Sequence, residues 1–286
     1  MGILLAAMAV GTPALAATPD ELVLFDPDNG EWHLLSPDGS ITTFSFGEPD
    51  DLPLWGDWDC DGRDSAAVFR PSDATLTFQE APDSGGNSFE LRVADAVPIA
   101  GDWNGNGCDT VSGYRYDRVF IVNQLGGEVD ADYYYGVVGD VPVAGDFDGD
   151  GVASVGVFRA ALGRIFLRNT IETGFADVEY AFGEEGDYVA VGDWNGDGVD
   201  TPALYKPGEG AFHLGLEDGP SGVTIVEFGE EDWIPAGGLA GPSPAARARW
   251  LLLIIAAATI TVVVALAGRN REGAEQTAPT EDPDVL

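Results

Sequence analysis

The sequence predicts an all-β fold: a five-bladed β-propeller of four-stranded repeats, each about 45 residues long, followed by one C-terminal transmembrane helix. Three observations predict it. A Gly-Asp-aromatic phrase recurs four times at near-constant spacing in the middle of the chain. Between its copies run short stretches bounded by Gly, Pro, Asp or Asn, with no helical periodicity from residue 20 to residue 240. Near the end lies an uncharged apolar stretch long enough to cross a bilayer.

In chain order, residues 1–17 come first. GILLAAMAV (2–10) followed by Ala14-Leu15-Ala16 reads as the apolar region and A-x-A cleavage site of a signal peptide, although no Lys or Arg precedes it. The propeller follows over residues 18–240, and residues 241–249 form a linker. From Trp250 to Ala267 there is no charge, and these 18 residues at ~1.5 Å each reach about 27 Å, close to the hydrocarbon thickness. A core helix of a soluble domain would carry a polar face; this segment has none, so residues 250–268 read as a membrane span. Arg247 and Arg249 before it and Arg269 and Arg271 after it tie the positive-inside count. The signal peptide breaks the tie, expected to place the propeller outside the cell membrane, single-pass, and residues 269–286 in the cytoplasm. A processed C-terminal sorting signal is the competing reading; the tail after Arg271 is long for one, and no LPxTG-like pentapeptide is present.

The charge balance excludes one class of function. With 49 acidic against 13 basic residues the formal net charge is −36. Sequence-independent nucleic-acid binding needs a basic surface, so no nucleic-acid partner is expected. Self-repulsion on this scale favours bound divalent cations or a salty medium.

The repeat reads GDWDCDG from Gly56, GDWNGNG from Gly101, GDFDGDG from Gly145 and GDWNGDG from Gly192, at intervals of 45, 44 and 47 residues. Thirteen residues after the first Asp of each copy stands a base, Arg70, Arg115, Arg159 or Lys206, preceded by Phe or Tyr. Three residues before each Gly lies Pro53, Pro98, Pro142 or Val189. Seven before that stands Phe46, Leu91, Tyr135 or Phe182, followed by Gly in three of the four. Partial copies mark both ends. Phe228-Gly229 and Pro235 keep the spacing before Gly238, where Leu239 replaces the aspartate; LVLFD (22–26) and EWHLL (31–35) match the strands after a loop that is missing. The chain is thus expected to hold five units with four loops between them, each unit reading as four strands (VGVFR, RIFLRN, DVEYAFG and YVAVGDW in the fourth). The end fragments favour a closed ring over an open solenoid.

Each loop runs D-x-[DN]-x-[DN]-G. The first offers Asp57, Asp59 and Asp61, the second Asp102, Asn104 and Asn106, the third Asp146, Asp148 and Asp150, the fourth Asp193, Asn195 and Asp197. Oxygens at positions 1, 3 and 5 wrap a hard cation, and the glycine at 6 aims the position-7 carbonyl inward, here that of Arg63, Cys108, Val152 or Val199. Oxygen-only ligation selects Ca²⁺ over zinc or copper, so about four Ca²⁺ sites are expected. Position 12 holds Val68, Gly113, Val157 or Leu204 where an EF-hand needs Glu. Further ligands are therefore expected from position 8 (Asp64, Asp109 and Asp200, with Ala153 in the third loop) or position 9 (Ser65, Thr110, Ser154 and Thr201). The second loop, with the fewest acids, should bind most weakly. The alternative is that Asp, Asn and Gly simply make good turns. The base thirteen residues on is expected to pair with loop carboxylates, or else to cap a strand edge; the first unit, which has no loop before it, carries Asp26 there.

These residues resemble the FG-GAP/VCBS-like repeats, best over GDWDCDGRDSAAVFRP, and the resemblance covers about residues 20–240. It implies a propeller with calcium in its inter-strand loops and a role in adhesion or ligand recognition. Members also serve as appendages to enzymes, but no second globular domain remains here to be appended to. The unit is shorter than in that family, and position 9 carries Ser or Thr where integrin-like loops often carry Asp.

His33 and His213 occupy matching registers in the first and last units, and a shared packing slot is the simpler reading against a metal or general-base role. Neither G-x-S-x-G nor HExxH occurs. Cys60 and Cys108 fall in consecutive loops on one face, where a disulfide is expected; two separately buried thiols are the alternative. Tyr133-Tyr134-Tyr135 could stack on a sugar, although Tyr135 holds the repeat's core aromatic position. The expected function is non-enzymatic: a cell-surface adhesion or ligand-recognition module for a protein or glycan partner. Its rivals are a hydrolase or lyase on the same scaffold and a purely structural envelope protein. An enzyme should show a deep pocket with convergent carboxylates of raised pKa, a binding module a flat face with exposed aromatics.

Overall fold

Alternation along the first strand, β1 (Leu22–Asp26), shows how the molecule is assembled. Leu22 and Leu24 pack in one cluster with Tyr205 and Phe212, while Val23 and Phe25 pack in another with Trp32 and Val68. A strand with period-2 side chains and two covered faces must be apolar at successive positions, which is what LVLF supplies. Five such clusters form the core, each a wedge between neighbouring sheets.

The protein is described by a computed structural model over residues 18–79, 88–91, 93, 95–215, 222–237 and 239–240. The expected signal peptide (1–17) and membrane span (250–268) lie outside the described residues, among which no helix is long and apolar enough to cross a membrane. β1, β2 (Glu31–Leu35) and β3 (Ile41–Ser45) belong to the first blade. The second is β4 (Leu52–Gly56), β5 (Ser65–Arg70), β6 (Thr75–Phe78) and β7 (Ser88–Glu90). The third is β8 (Val97–Gly101), β9 (Thr110–Arg115), β10 (Arg118–Ile121) and β11 (Ala131–Tyr134). The fourth is β12 (Val141–Gly145), β13 (Ser154–Arg159), β14 (Arg164–Leu167) and β15 (Val178–Ala181). The fifth is β16 (Tyr188–Gly192), β17 (Thr201–Lys206), β18 (Ala211–Leu214) and β19 (Thr224–Glu227). The innermost strand of the first blade comes from the far end of the chain: β20 (Ile234–Pro235) pairs antiparallel with β1, Leu24 opposite Pro235. The ring is thereby closed as a five-bladed β-propeller. A last short strand, β21 (Leu239–Ala240), adds to the inner edge of β16, with Val189 opposite Leu239 and Tyr188 opposite Ala240.

Two sequence expectations are corrected here. The loops do not lie between blades. YVAVG (188–192) pairs with β17 and not with β15, so each D-x-[DN]-x-[DN]-G loop is the hairpin joining the two inner strands of one blade. A short hairpin folds a strand back on its own neighbour, while the Phe-Gly connection carries the chain from an outer edge to the next inner strand. The first blade takes its two inner strands from distant parts of the chain, so it has no hairpin, and Leu239 lies in β21 instead of opening a loop.

The bases do not pair with loop carboxylates either. Antiparallel pairing puts the loops on one face and the bases at the opposite ends of the strands, on what we term the turn face. There Arg70 donates to Asp51 (2.9 and 2.8 Å) and Arg159 to Asp140 (2.8 and 2.8 Å). Lys206 donates to Asp187 (2.9 Å) and Glu184 (2.9 Å). The same aspartates accept the N–H of Glu48, Val137 and Glu184, closing the turns after Phe46-Gly47, Tyr135-Gly136 and Phe182-Gly183. In the third blade Ala96 stands in the aspartate's place, and Arg115 lies over the Phe120 ring at 5.2 Å.

Candidate metal centre

The first Asp of each hairpin organises its turn. Asp146 accepts the N–H of Gly149 (2.8 Å), Asp150 (3.1 Å) and Gly151 (2.7 Å). Asp102 and Asp193 do the same in their loops, and Asp57 accepts from Asp61 and Gly62. The position-5 side chain then takes the position-7 N–H: Asn106 that of Cys108, Asp150 that of Val152, Asp197 that of Val199. Arg63 holds position 7 in the first loop. The turn needs a left-handed residue at position 4, with φ of +70° at Gly105, +73° at Gly149 and +74° at Gly196. In the first loop that residue is Cys60, at +66°, a conformation that costs little only for glycine. Its sulfur is bonded to Cys108 of the next blade's loop, as the sequence led us to expect.

Carboxylate oxygens of Asp57, Asp59 and Asp61 lie within 4.8 Å of one another, and so do those of Asp146, Asp148 and Asp150. That is about twice a Ca–O distance of ~2.4 Å, a spacing that lets one hard cation touch all three. Burial and the charges of Asp150 and Asp146 push the Asp148 carboxyl upward, so a cation there would relieve repulsion. In the fourth loop Asn195 donates to Asp197 (2.9 Å), and in the second Asn104 and Asn106 replace both later acids.

Two position-8 acids, Asp109 and Asp200, reach the preceding blade. Asp109 accepts the N–H of Asp57 (2.8 Å) and returns its own N–H to the Asp57 carbonyl (2.9 Å). Asp200 clasps Asp146 in the same way (2.8 and 2.8 Å), and Asp20 clasps Asp193 across the ring closure (2.8 and 3.0 Å). Ala153 keeps only the backbone half, donating to Asp102 (2.7 Å). Asp20 was not among the residues singled out from the sequence. Its signal was present, since it precedes Phe25 by five residues as Asp64 precedes Phe69. The clasp explains the glycine of the motif: a Cβ on Gly145 would stand 2.8 Å from Asp200 Oδ2 and 2.6 Å from a Val191 methyl. Gly145→Ala is therefore expected to cost about 1–3 kcal/mol, read as a lower urea midpoint at unchanged slope.

The aromatic after the first Asp has an equally local reason. Trp58, Trp103 and Trp194 donate their indole N–H to the carbonyls of Ser65, Thr110 and Thr201 (2.9, 3.3 and 2.8 Å). Hydroxyls at position 9 also stay within the blade: Thr110, Ser154 and Thr201 donate to the carbonyls of Val122, Arg168 and Gly215.

Asp20, Asp64, Asp109 and Asp200 converge on a cavity of about 280 Å³ on the propeller axis. Burial first, then the charges of the neighbouring acids, pushes Asp64 and Asp200 up to about 7 and Asp109 up to about 6, and raises Asp20 as well. These groups hold a proton more tightly folded than unfolded. Their stabilising contribution is complete below the unfolded carboxyl value of 3.8 and is lost as pH rises toward about 7. In chelator, the melting temperature is expected to rise as pH is lowered from about 8 to about 5. A fall across that window would contradict the channel's protonation.

The other candidates resolve as packing. His33 stacks on Trp233 (3.7 Å between ring centres) and His213 lies 2.8 Å from Glu209. They share a register, opposite Leu24 and Leu204. Tyr133 and Tyr135 are buried, and only Tyr134 of that run faces solvent, beside Arg118.

No protein-family model and no curated protein matches the chain. Among solved structures it is similar to a streptogramin B lyase, at 12% identity and a TM-score of 0.40, over 75% of this chain and 68% of that one.

Proposed function

We propose that this chain is an FG-GAP/VCBS-like, calcium-stabilised propeller, held at the cell membrane by residues 250–268, that recognises a protein or glycan outside the cell. The observation that carries the calcium reading is the convergence of three carboxylates in each of two hairpins, on a turn repeated four times on one face. The Cys60–Cys108 bridge between loops supports an oxidising compartment. Recognition is supported by Phe175, 93% exposed in the loop after β14, which Arg168 pins by donating to the carbonyls of Glu172 (2.8 Å) and Phe175 (2.7 Å). A pre-ordered aromatic binds a partner with little entropy left to lose.

Calorimetric titration of the full chain with calcium, after chelation, tests the reading. About four ions should bind, most weakly in the second loop. No binding heat, together with a melting temperature indifferent to chelator, overturns it. The axial carboxylates of raised pKa favour a second reading, a hydrolase or lyase with its site in the channel. The clasps give three of these four acids a structural role that needs no chemistry. Cleavage of a polysaccharide, abolished by Asp64→Asn with calcium stoichiometry intact, would establish the second reading.

A further inference from the structure

The route of the chain out of the ring has a bearing on which way the propeller faces. β20 runs toward the loop face alongside β1, and β21 returns along β16 from Val189 to Tyr188, the end of β16 on the turn face. The chain therefore leaves the described structure on the turn face, near the axis. Nine linker residues (241–249) separate that point from the apolar segment, a reach of at most about 30 Å. A membrane holding that segment lies within linker distance of the turn face.

One sector of the turn face suits such a neighbour. In the third and fourth blades, side chains of Tyr116 (59% exposed), Val138 (72%) and Leu162 (61%) stand in solvent at the turns, with Val137 beside them. Around them are Arg115, Arg118, Arg159 and Arg164, among the carboxylates of Asp95, Asp117, Asp132, Asp140 and Glu179. With Glu184 and Glu185 bordering it beside the Leu162 turn, this sector is mildly acidic, its arginines offsetting most of its carboxylates, in a chain of net charge −36. An anionic bilayer repels most of this molecule; a sector where arginines offset most of the acids, with tyrosine and aliphatic side chains exposed, suits the interfacial layer better than the rest of the surface.

We infer that the turn-face sector formed by Tyr116, Val137, Val138 and Leu162 docks on the lipid surface, orienting the hairpin loops outward. The inference rests on the membrane tether proposed above. It is tested on the full chain in phosphatidylcholine–phosphatidylglycerol vesicles carrying doxyl-labelled lipid. An environment-sensitive dye is placed at Val138→Cys or, as a loop-face control, at Phe175→Cys; the native cysteines are bridged and do not compete for label. The dye at residue 138 should be blue-shifted and quenched severalfold more than the dye at 175. Equal quenching at the two positions overturns the docking. So does energy transfer between copies labelled at 138 without lipid quenching, which would make the sector a contact between two chains. Flotation separates this proposal from the tether: chain that floats with the vesicles but is not quenched at 138 sinks the docking alone, and chain that does not float sinks both.

Discussion

Asp140→Ala is expected to cost about 3 kcal/mol of folding stability. The Asp140 side chain is 1% exposed and accepts two hydrogen bonds from Arg159 and one from the N–H of Val137. Removing the carboxylate leaves a guanidinium that is 27% exposed, held over the Phe166 ring at 4.6 Å, with only the weaker, unbonded influence of Glu179 to offset its charge. It also frees the turn that leads the chain into the fourth blade. The cost of breaking such a pair is the stranded charge, more than the lost attraction. Asp132→Ala is the control, since Arg118–Asp132 is 37% and 40% exposed and water can replace the partner. That variant should lose less than about 1 kcal/mol. Urea midpoints at equal slope measure both; equal losses would refute the burial argument.

Removing the bridge is the second large effect. Cys60→Ala with Cys108→Ala opens a link spanning 48 residues, worth about 4 kcal/mol in loop entropy and about 2–4 kcal/mol in practice. Cys60 adds a second term, because it holds a left-handed conformation at φ +66° that alanine must also adopt once the bridge is gone. Cys60→Gly with Cys108→Ala restores the residue type of the other three loops and should recover about 1 kcal/mol of the loss. Identical thermal unfolding of the two double variants would show that the bridge alone matters and the backbone does not.

The candidate site was legible to different depths. Asp57, Asp59 and Asp61 could be named together because a turn of six residues brings its own side chains into contact, whatever surrounds it. Cys60, at position 4 of its loop, and Cys108, at position 7 of the next, were paired from the repeat, since consecutive loops fall on one face of adjacent blades. The partners of Arg70, Arg159 and Lys206 were misread. Thirteen residues of hairpin return the base to the strand's far end, where Asp51, Asp140 and Asp187 wait just before the inner strand. That aspartate was visible two residues before Pro53, Pro142 and Val189, but only the antiparallel register gives the offset meaning.

Sequence alone determined the number of blades, four strands in each and the turn chemistry of the loops, and it favoured a cysteine bridge over two free thiols. All are local patterns multiplied by a repeat, and local patterns are set by side-chain period, glycine conformation and short-range hydrogen bonds. Tertiary structure decided where one blade ends and the next begins, and which acids meet at the axis. Those depend on closing the ring, which sets Asp20 against Asp193 across 173 residues and β20 against β1. Antiparallel pairing lets a strand take either sequence neighbour; the choice follows from which turn is short enough to fold back and which pair of apolar faces a closed ring can bury.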